Sequence, residues 1–238
     1  MTTHDFCCTE TAFDAIQLEL PGVPTNETVA ADWQNPLWIL AEFLNAVGVS
    51  YSARTAQSLL NEFNSLAELL AAPAWRLRLV AGKRLADLIC ASSGLIKAEL
   101  IDRARESPVL QRSPALLKFL QLEVGFLDHE RLLALYLDCH SRLMRIEKLA
   151  EGSLAHATIS AREVIGRGLA MGASAFILVH NHPSGTAVPS RSDLNVTYRL
   201  RDLGKSVDLH LIDHWIVARG HFGSIEDFWR EARWTGQE

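Results

Sequence analysis

His180-Asn181-His182-Pro183-Ser184-Gly185-Thr186-Ala187-Val188-Pro189-Ser190-Arg191-Ser192-Asp193 follows directly on the short apolar run Ala175-Phe176-Ile177-Leu178-Val179. Five apolar residues bounded by turn formers read as a buried strand. Side chains on a strand alternate faces, so His180 and His182 point to the same side at its end. Pro183, Gly185 and Pro189 then force an irregular loop. The chain enters a helix at Ser190, with Asp193 in its first turn. A loop of this length can fold back and bring Asp193 beside both imidazoles. Two neutral imidazole nitrogens and one carboxylate make the ligand set of a catalytic zinc site, which keeps a fourth tetrahedral position for water. Each part has a plainer reading. Ser190-x-x-Asp193 is also a helix N-cap with an acid in the first turn, and a lone histidine at a strand end is more often a hydrogen-bonded core residue. The whole set, with two of the chain's 9 histidines on one face, favours a metal.

Outward from this stretch the chain alternates strands and helices. Arg131 to Leu137 reads as a strand, Asp138-Cys139-His140-Ser141 as a turn, and Arg142 to Ala150 as its partner strand. Ser160 to Met171 reads as a helix with Ser160 as N-cap and Glu163 three residues on, a capping-box pattern. Ser190 to Leu203 is a further helix ended by Gly204. Val207, Leu209 and Leu211 alternate with polar residues and predict a half-exposed strand that His214 to Ala218 continues or pairs with. Earlier in the chain the period is helical. Leu37, Leu40, Ala41, Leu44 and Val47 share one face ahead of a capping Gly48. Helices follow over Ser52 to Phe63 and Ser65 to Leu70, each with its serine as N-cap. Trp75 to Ala86 reads helix, glycine turn at Gly82, helix, the last continuing to about Arg105. Ser107-Pro108 and Ser113-Pro114 mark a linker. The expected organisation is an acidic, poorly ordered arm over 1–35, an all-helical domain over 36–106, a linker over 107–119 and an α+β domain over 120–238.

Composition bounds the function classes. The chain has 238 residues, 48% hydrophobic and 21% charged, with a formal net charge of −5, which excludes wholesale disorder and a coiled coil. No apolar run approaches the about 20 residues of a membrane helix, and with an acid at Asp5 and no apolar run after it, Met1-Thr2-Thr3-His4-Asp5 is not expected to open a signal peptide. Cys7, Cys8, Cys90 and Cys139 show no CxxC spacing, so neither a disulfide framework nor a cysteine zinc cage is expected. Cys139 reads as structural. The expectation is a reduced, cytoplasmic protein. Residues 1–53 hold seven acids (Asp5, Glu10, Asp14, Glu19, Glu27, Asp32, Glu42) and no Lys or Arg.

His180-x-His182, seven residues, Ser190, two residues, Asp193 resembles the JAMM (MPN+) metalloprotease signature H-x-H-x7-S-x2-D with every spacing kept. The wording His180-Asn181-His182-Pro183-Ser184-Gly185 and the later Asp213-His214 pair resemble the bacterial RadC branch of that superfamily. Gly152-Ser153-Leu154 and Arg162-Glu163-Val164 match it too, although Ala161 stands where that branch usually has Pro. An HNH nuclease, suggested by the bare letters, spreads its catalytic groups over a longer hairpin–helix span. Helices 36–106 resemble the helix-hairpin-helix region that precedes the RadC metal domain. The implied fold is therefore α+β, a JAB/MPN-like (cytidine-deaminase-like α/β/α) metal domain behind a small helical one.

The resemblance implies that His180, His182 and Asp193 hold one Zn²⁺ per chain, which activates water. It implies a glutamate at the start of the first core strand as proton carrier. Glu130, about fifty residues before His180, fits that place; Glu163 competes, though capping or an ion pair with Arg162 explains it, and Glu123 and Glu147 are less well placed. Ser190 would donate a hydrogen bond to the developing oxyanion. The implied reaction is hydrolysis of a peptide or isopeptide bond in a peptide or protein substrate. Asp213 and His214 are either a pair orienting a ligand histidine or a strand-end hydrogen bond. His210 and His214 have ligand spacing only on a helix, and His140, His156 and His221 read as loop or surface residues. From a different class comes a DNA-associated accessory protein whose metal domain is not catalytic, with Arg76, Arg78, Lys83 and Arg84 around Gly82 meeting phosphates. That turn, Val80-Ala81-Gly82-Lys83, has one glycine where a good hairpin has two, and four basic residues on an acidic chain predict weak, salt-dependent binding. A third reading is a structural pseudoenzyme.

Overall fold

The computed structural model describes residues 34–152 and 160–235. Residues 1–33 of the expected arm, together with Ser153, Leu154 and His156, lie outside the described residues. The chain divides into two units with the boundary between Ser58 and Leu59. Helix α1 (Pro36–Ala46) starts where Asn35 caps it, its Oδ1 accepting from the Leu37 amide at 3.0 Å, with Pro36 in the first turn. Gly48 takes φ +78° beyond its end, the left-handed conformation a helix stop favours. Helix α2 (Ser52–Phe63) begins one residue earlier than a Ser52 cap requires. The Tyr51 carbonyl already accepts the Thr55 amide at 3.0 Å, so Ser52 is a helical residue.

The second unit begins within α2, and α3 (Leu66–Ala71) follows, capped by Ser65 through the Glu68 amide at 3.1 Å. Helix α4 (Ala74–Arg105) is two helices joined at Gly82, whose φ 74° and ψ 166° lie outside the helical region; a side chain there would be strained. The segment 107–119, expected as a linker, carries a 3-10 turn at Val109–Gln111 and the start of α5 (Pro114–Glu123). Val109, Leu116 and Phe119 within it are buried, because their apolar faces close one side of the sheet.

That sheet holds five strands, β1 (Arg131–Leu137), β2 (Leu143–Glu151), β3 (Ala175–Asn181), β4 (His210–Ala218) and β5 (His221–Ser224), in the order β2-β1-β3-β4-β5. Strand β1 runs antiparallel to β2 and β3, β3 parallel to β4, and β4 antiparallel to β5. Helices α6 (Ala161–Ala170), α7 (Arg191–Lys205) and α8 (Ile225–Thr235) complete the order. On one face Leu133, Leu135, Ile177, Val179 and Trp215 pack with Leu116 and Leu120 of α5. On the other, Leu132, Ala134, Tyr136, Phe176 and Leu178 pack with Val164 of α6 and Leu200 of α7. Both faces are covered, so β1 and β3 are nearly wholly apolar rather than alternating. The chain is thus a mixed α+β protein with helices in its N-terminal part.

Two glycines hold the connections of β3 to β4 close. Gly204 is not the end of α7, which runs on to Lys205; a Cβ there would meet the Leu209 carbonyl oxygen at 2.2 Å. The chain turns through Asp208 at φ 55°, so the strand expected from Val207 begins only at His210. Gly223 of β5 lies against the loop after β3, and a Cβ would meet the Ala187 carbonyl oxygen at 2.1 Å. Near the start of β1, Glu151 accepts from Lys148 at 2.7 Å, from Arg131, and from His129 at 3.0 Å. The Lys148, Arg131 and His129 contacts, in that order, hold its carboxyl down at about 2.

Gly223→Ala is expected to destabilise the fold by about 1–3 kcal/mol, the cost of forcing extra volume against backbone; urea denaturation measures it. Glu151 is charged in the folded chain over a range where it is protonated in the unfolded one. Its contribution is complete above its ordinary 4.5 and fades as pH falls toward about 2. Glu151→Gln is therefore expected to flatten the acid limb of the unfolding midpoint between those values, read by thermal melts across pH.

Candidate metal centre

The backbone ladder brings the two histidines to one side. His180 is the penultimate residue of β3, and the His182 amide still donates to the Val217 carbonyl at 3.0 Å. The pleat therefore continues one residue past the strand. Gly185 then closes a turn by donating to the His182 carbonyl at 3.1 Å, with φ 85°. The His182 Nδ1 lies 3.0 Å from the Thr186 carbonyl oxygen. A carbonyl only accepts, so Nδ1 carries the proton in this bond and a neutral ring leaves Nε2 as a lone pair.

Helix α7 brings in the carboxylate. Ser190 Oγ accepts from the Asp193 amide at 3.2 Å, and Asp193 Oδ2 accepts from the Ser190 amide at 2.7 Å, a complete capping box. The same carboxylate turns Oδ1 to His180 Nε2 at 3.3 Å and Oδ2 to His182 Nε2 at 3.4 Å. The two Nε2 atoms lie 2.8 Å apart. Capping and convergence on the histidines are thus roles of one residue, not alternatives. Burial opposes the charge on Asp193, but the His180 and His182 imidazoles beside it outweigh that penalty and hold the carboxyl far below its ordinary range. The hydrogen bond to Asp193 in turn raises His182.

One donor atom from each of His180, His182 and Asp193 lies within 4.8 Å of the other two, a group that could hold a metal ion. A tetrahedral ion with arms of about 2.0–2.1 Å sets its donors about 3.3 Å apart. The 3.3 and 3.4 Å separations run to different oxygens of Asp193 and the two Nε2 atoms stand closer than that edge, so the donors converge without yet spanning the tetrahedral triangle. Two imidazoles with one carboxylate are nonetheless the donor set that suits zinc.

Glu130 sits immediately before β1. The β1–β3 register ends with Leu132 opposite His180, which leaves Glu130 two residues beyond the last pair on the side of the histidines. Its charge contributes to raising His182. Asn181, fully buried, fastens this stretch: its Oδ1 accepts the Arg131 amide at 2.8 Å and its Nδ2 donates to the His129 carbonyl at 2.9 Å. Both neighbours of Glu130 are therefore tied to the residue between the histidines. The competing glutamates are engaged elsewhere. Glu163 pairs with Arg167 rather than the adjacent Arg162, Glu147 pairs with Arg145 and Arg167, and Glu123 with Lys97 and Arg131.

Asp213 and His214 part company. Asp213 accepts from Trp215 Nε1, Ser224 Oγ and the amides of His214 and Glu226 at 2.7–3.1 Å, and pairs with Arg112 at 3.3 Å. It ties β4 to the start of α8. His214 alone reaches the cluster, its Nε2 2.8 Å from His180 Nδ1 and its Nδ1 2.7 Å from Thr197 Oγ1. Complete burial pushes the His214 ring well down in pKa. Asn181, Thr186 and Thr197 were not singled out by sequence. Asn181 stands inside the quoted motif, and Thr197 lies one helical turn after Asp193; only those spacings could have flagged them.

The basic residues near Gly82 form a separate feature. Lys83 and Arg78 both bond Asp87, at 2.8 and 3.1 Å, and Arg76 pairs with Glu62 at 3.2 Å. A cleft of about 540 Å³ opens there, lined by Lys83, Arg84, Asp87 and Leu88. It contains none of the converging donors, and chemistry rather than volume marks the site. Among the described residues, no helix is long and apolar enough to cross a membrane.

Residues 110–231 match the family described as the RadC-like JAB domain. The UPF0758 protein of Methylibium petroleiphilum is 39% identical over 175 residues, covering 72% of this chain and 78% of the relative. That of Pseudomonas syringae pv. tomato is 35% identical over 185 residues, covering 76% and 83%. That of Burkholderia thailandensis is 39% identical over 165 residues, covering 68% of this chain but 63% of the relative, less than two thirds of its length. With the motif, the α+β fold and the clustered donors in agreement, the chain belongs to the RadC family and carries its JAB domain in the C-terminal half.

Proposed function

We propose that this protein is a zinc-dependent hydrolase of peptide or isopeptide bonds, with a JAMM-type activated-water mechanism on a cytidine-deaminase-like α/β/α domain. The observation that carries the reading is the convergence of two imidazole nitrogens and one carboxylate at the end of β3, with Glu130 at the facing start of β1. His180, His182 and Asp193 would hold the ion. Bound there, Zn²⁺ supplies Lewis acidity that makes water a nucleophile at neutral pH.

The chain's own groups do the rest. Glu130 takes the proton from the attacking water and passes it to the leaving amine, a general acid–base role worth about 10²–10⁴-fold. Ser190 Oγ accepts from the Asp193 amide with one of its two lone pairs, and its O–H donates to the oxyanion that develops at the scissile carbonyl. The Asn181 clamp on residues 129 and 131 limits the freedom of Glu130 and so preserves its reach. The basic cluster at Gly82 supports a DNA-binding reading less well, because three of its four cations already meet carboxylates.

Elemental analysis of the purified chain is expected to find about one zinc per molecule, lost in His180→Ala with the fold intact by circular dichroism. A wild type that takes up no zinc when it is offered and washed defeats the proposal. Glu130→Gln is expected to keep zinc while lowering hydrolysis of a responsive peptide or isopeptide substrate by about 10²–10⁴-fold. Undiminished turnover in Glu130→Gln would remove that residue from the mechanism.

A further inference from the structure

A chain of hydrogen bonds runs from the backbone of one candidate ligand to the ring of another, and its direction can be worked out atom by atom. Thr197 follows Asp193 by one turn of α7, and its Oγ1 lies 2.6 Å from the Asp193 carbonyl oxygen. A carbonyl cannot donate, so the single hydroxyl proton of Thr197 is spent there. The same Oγ1 lies 2.7 Å from His214 Nδ1. With its proton committed, Oγ1 can only accept, and Nδ1 of His214 must carry a hydrogen. His214 is 2% exposed, and its ring nitrogens meet Thr197 and His180. A charged ring without a carboxylate against it is costly in such a place. A neutral ring protonated on Nδ1 presents Nε2 as a lone pair. That Nε2, 2.8 Å from His180 Nδ1, then requires the His180 proton to sit on Nδ1. Nε2 of His180 is left bare, 2.8 Å from His182 Nε2, so in the metal-free chain the hydrogen between the two rings belongs to His182.

We infer that Thr197 and His214 are positioning residues that lock His180 in the tautomer whose Nε2 can bind a metal. The role of the lock in catalysis rests on the zinc reading above, whereas the lock itself does not. The geometry explains features otherwise unconnected. A threonine inside α7 is a poor helix former, yet Thr197 is wholly buried, because its hydroxyl serves both the Asp193 carbonyl and His214. A histidine is fully enclosed in β4 without a charged partner because it relays orientation rather than charge. Through this relay α7 sets two ligands at once, Asp193 by its own first turn and His180 through the threonine. His182 needs no relay, since the Thr186 carbonyl fixes its ring directly.

The test uses the full chain, freed of metal with a chelator and labelled with 15N-histidine. Two-bond 15N–1H correlations of the imidazole rings tell which nitrogen of His180 bears the proton, with His180→Gln and His214→Gln used to assign the signals. The expected result is protonation on Nδ1 for both His180 and His214. Thr197→Val keeps the shape but removes the acceptor, and is expected to give a mixture of His180 tautomers and about 10–100-fold weaker zinc binding by competition with a chromophoric chelator. Thr197→Ser is expected to restore both. A wild-type His180 protonated on Nε2 overturns the inference, as does a folded Thr197→Val with unchanged tautomer and zinc affinity. A wild type that binds no zinc but shows the expected ring protons would defeat the zinc reading while leaving the lock standing.

Discussion

Two imidazole lone pairs and a carboxylate, gathered within 4.8 Å and largely shielded from water, repel one another unless a positive charge lies among them. This electrostatic constraint organises the domain. Neither histidine can turn away. His182 is held by the Thr186 carbonyl and His180 by the buried ring of His214, while Asp193 is held by the cap it shares with Ser190. Each ligand candidate therefore has an orienting contact on the side away from the cluster. Such contacts keep metal ligands aimed before any ion arrives.

The parallel pairing of β3 with β4 makes the arrangement possible. A parallel pair needs a long crossover, and here the crossover consists of the proline-containing loop and α7. The helix therefore starts beside the end of β3, so a carboxylate in its first turn faces the strand-end histidines. The antiparallel neighbour β1 begins at the same edge, with Leu132 paired to His180, which brings the segment before β1 beside the histidines. Ligands in open α/β sheets commonly sit at the carboxyl ends of parallel strands for this reason. The glycines at 204 and 223 permit the close backbone approaches that keep the crossover tight.

Much of this was legible in the residues. The strands Arg131–Leu137 and Ala175–Asn181 are wholly or almost wholly apolar before the histidines, so length and bounding turns revealed them. Pro36, Ser65, Ser160 and Ser190 all sit at helix starts, because capping chemistry is local. Where the reading failed, the cause was nonlocal. Prolines at 108 and 114 suggested a linker, yet the apolar residues between and after them cover the sheet. Gly204 looked like a helix stop, but its lack of a side chain serves contact with Leu209. The adjacent acid and histidine at 213 and 214 looked like one unit, although successive strand side chains face opposite sides and join different networks.

The sequence by itself determined the identity of the donors, their spacing and the order of elements that carries them, since these follow from short-range pattern and from the chemistry of histidine and aspartate. It also determined the family, through a motif whose every interval is kept. Only the tertiary structure decided that the start of β1 lies beside the strand-end histidines, that Asp193 is cap and cluster member at once, and that Thr197 and His214 stand behind His180. Those facts depend on strand register and on the crossover of α7, which bring residues 50 and 34 positions from His180 into its neighbourhood. Pairing across such distances is selected by the burial of whole faces, and no local pattern of residues encodes it.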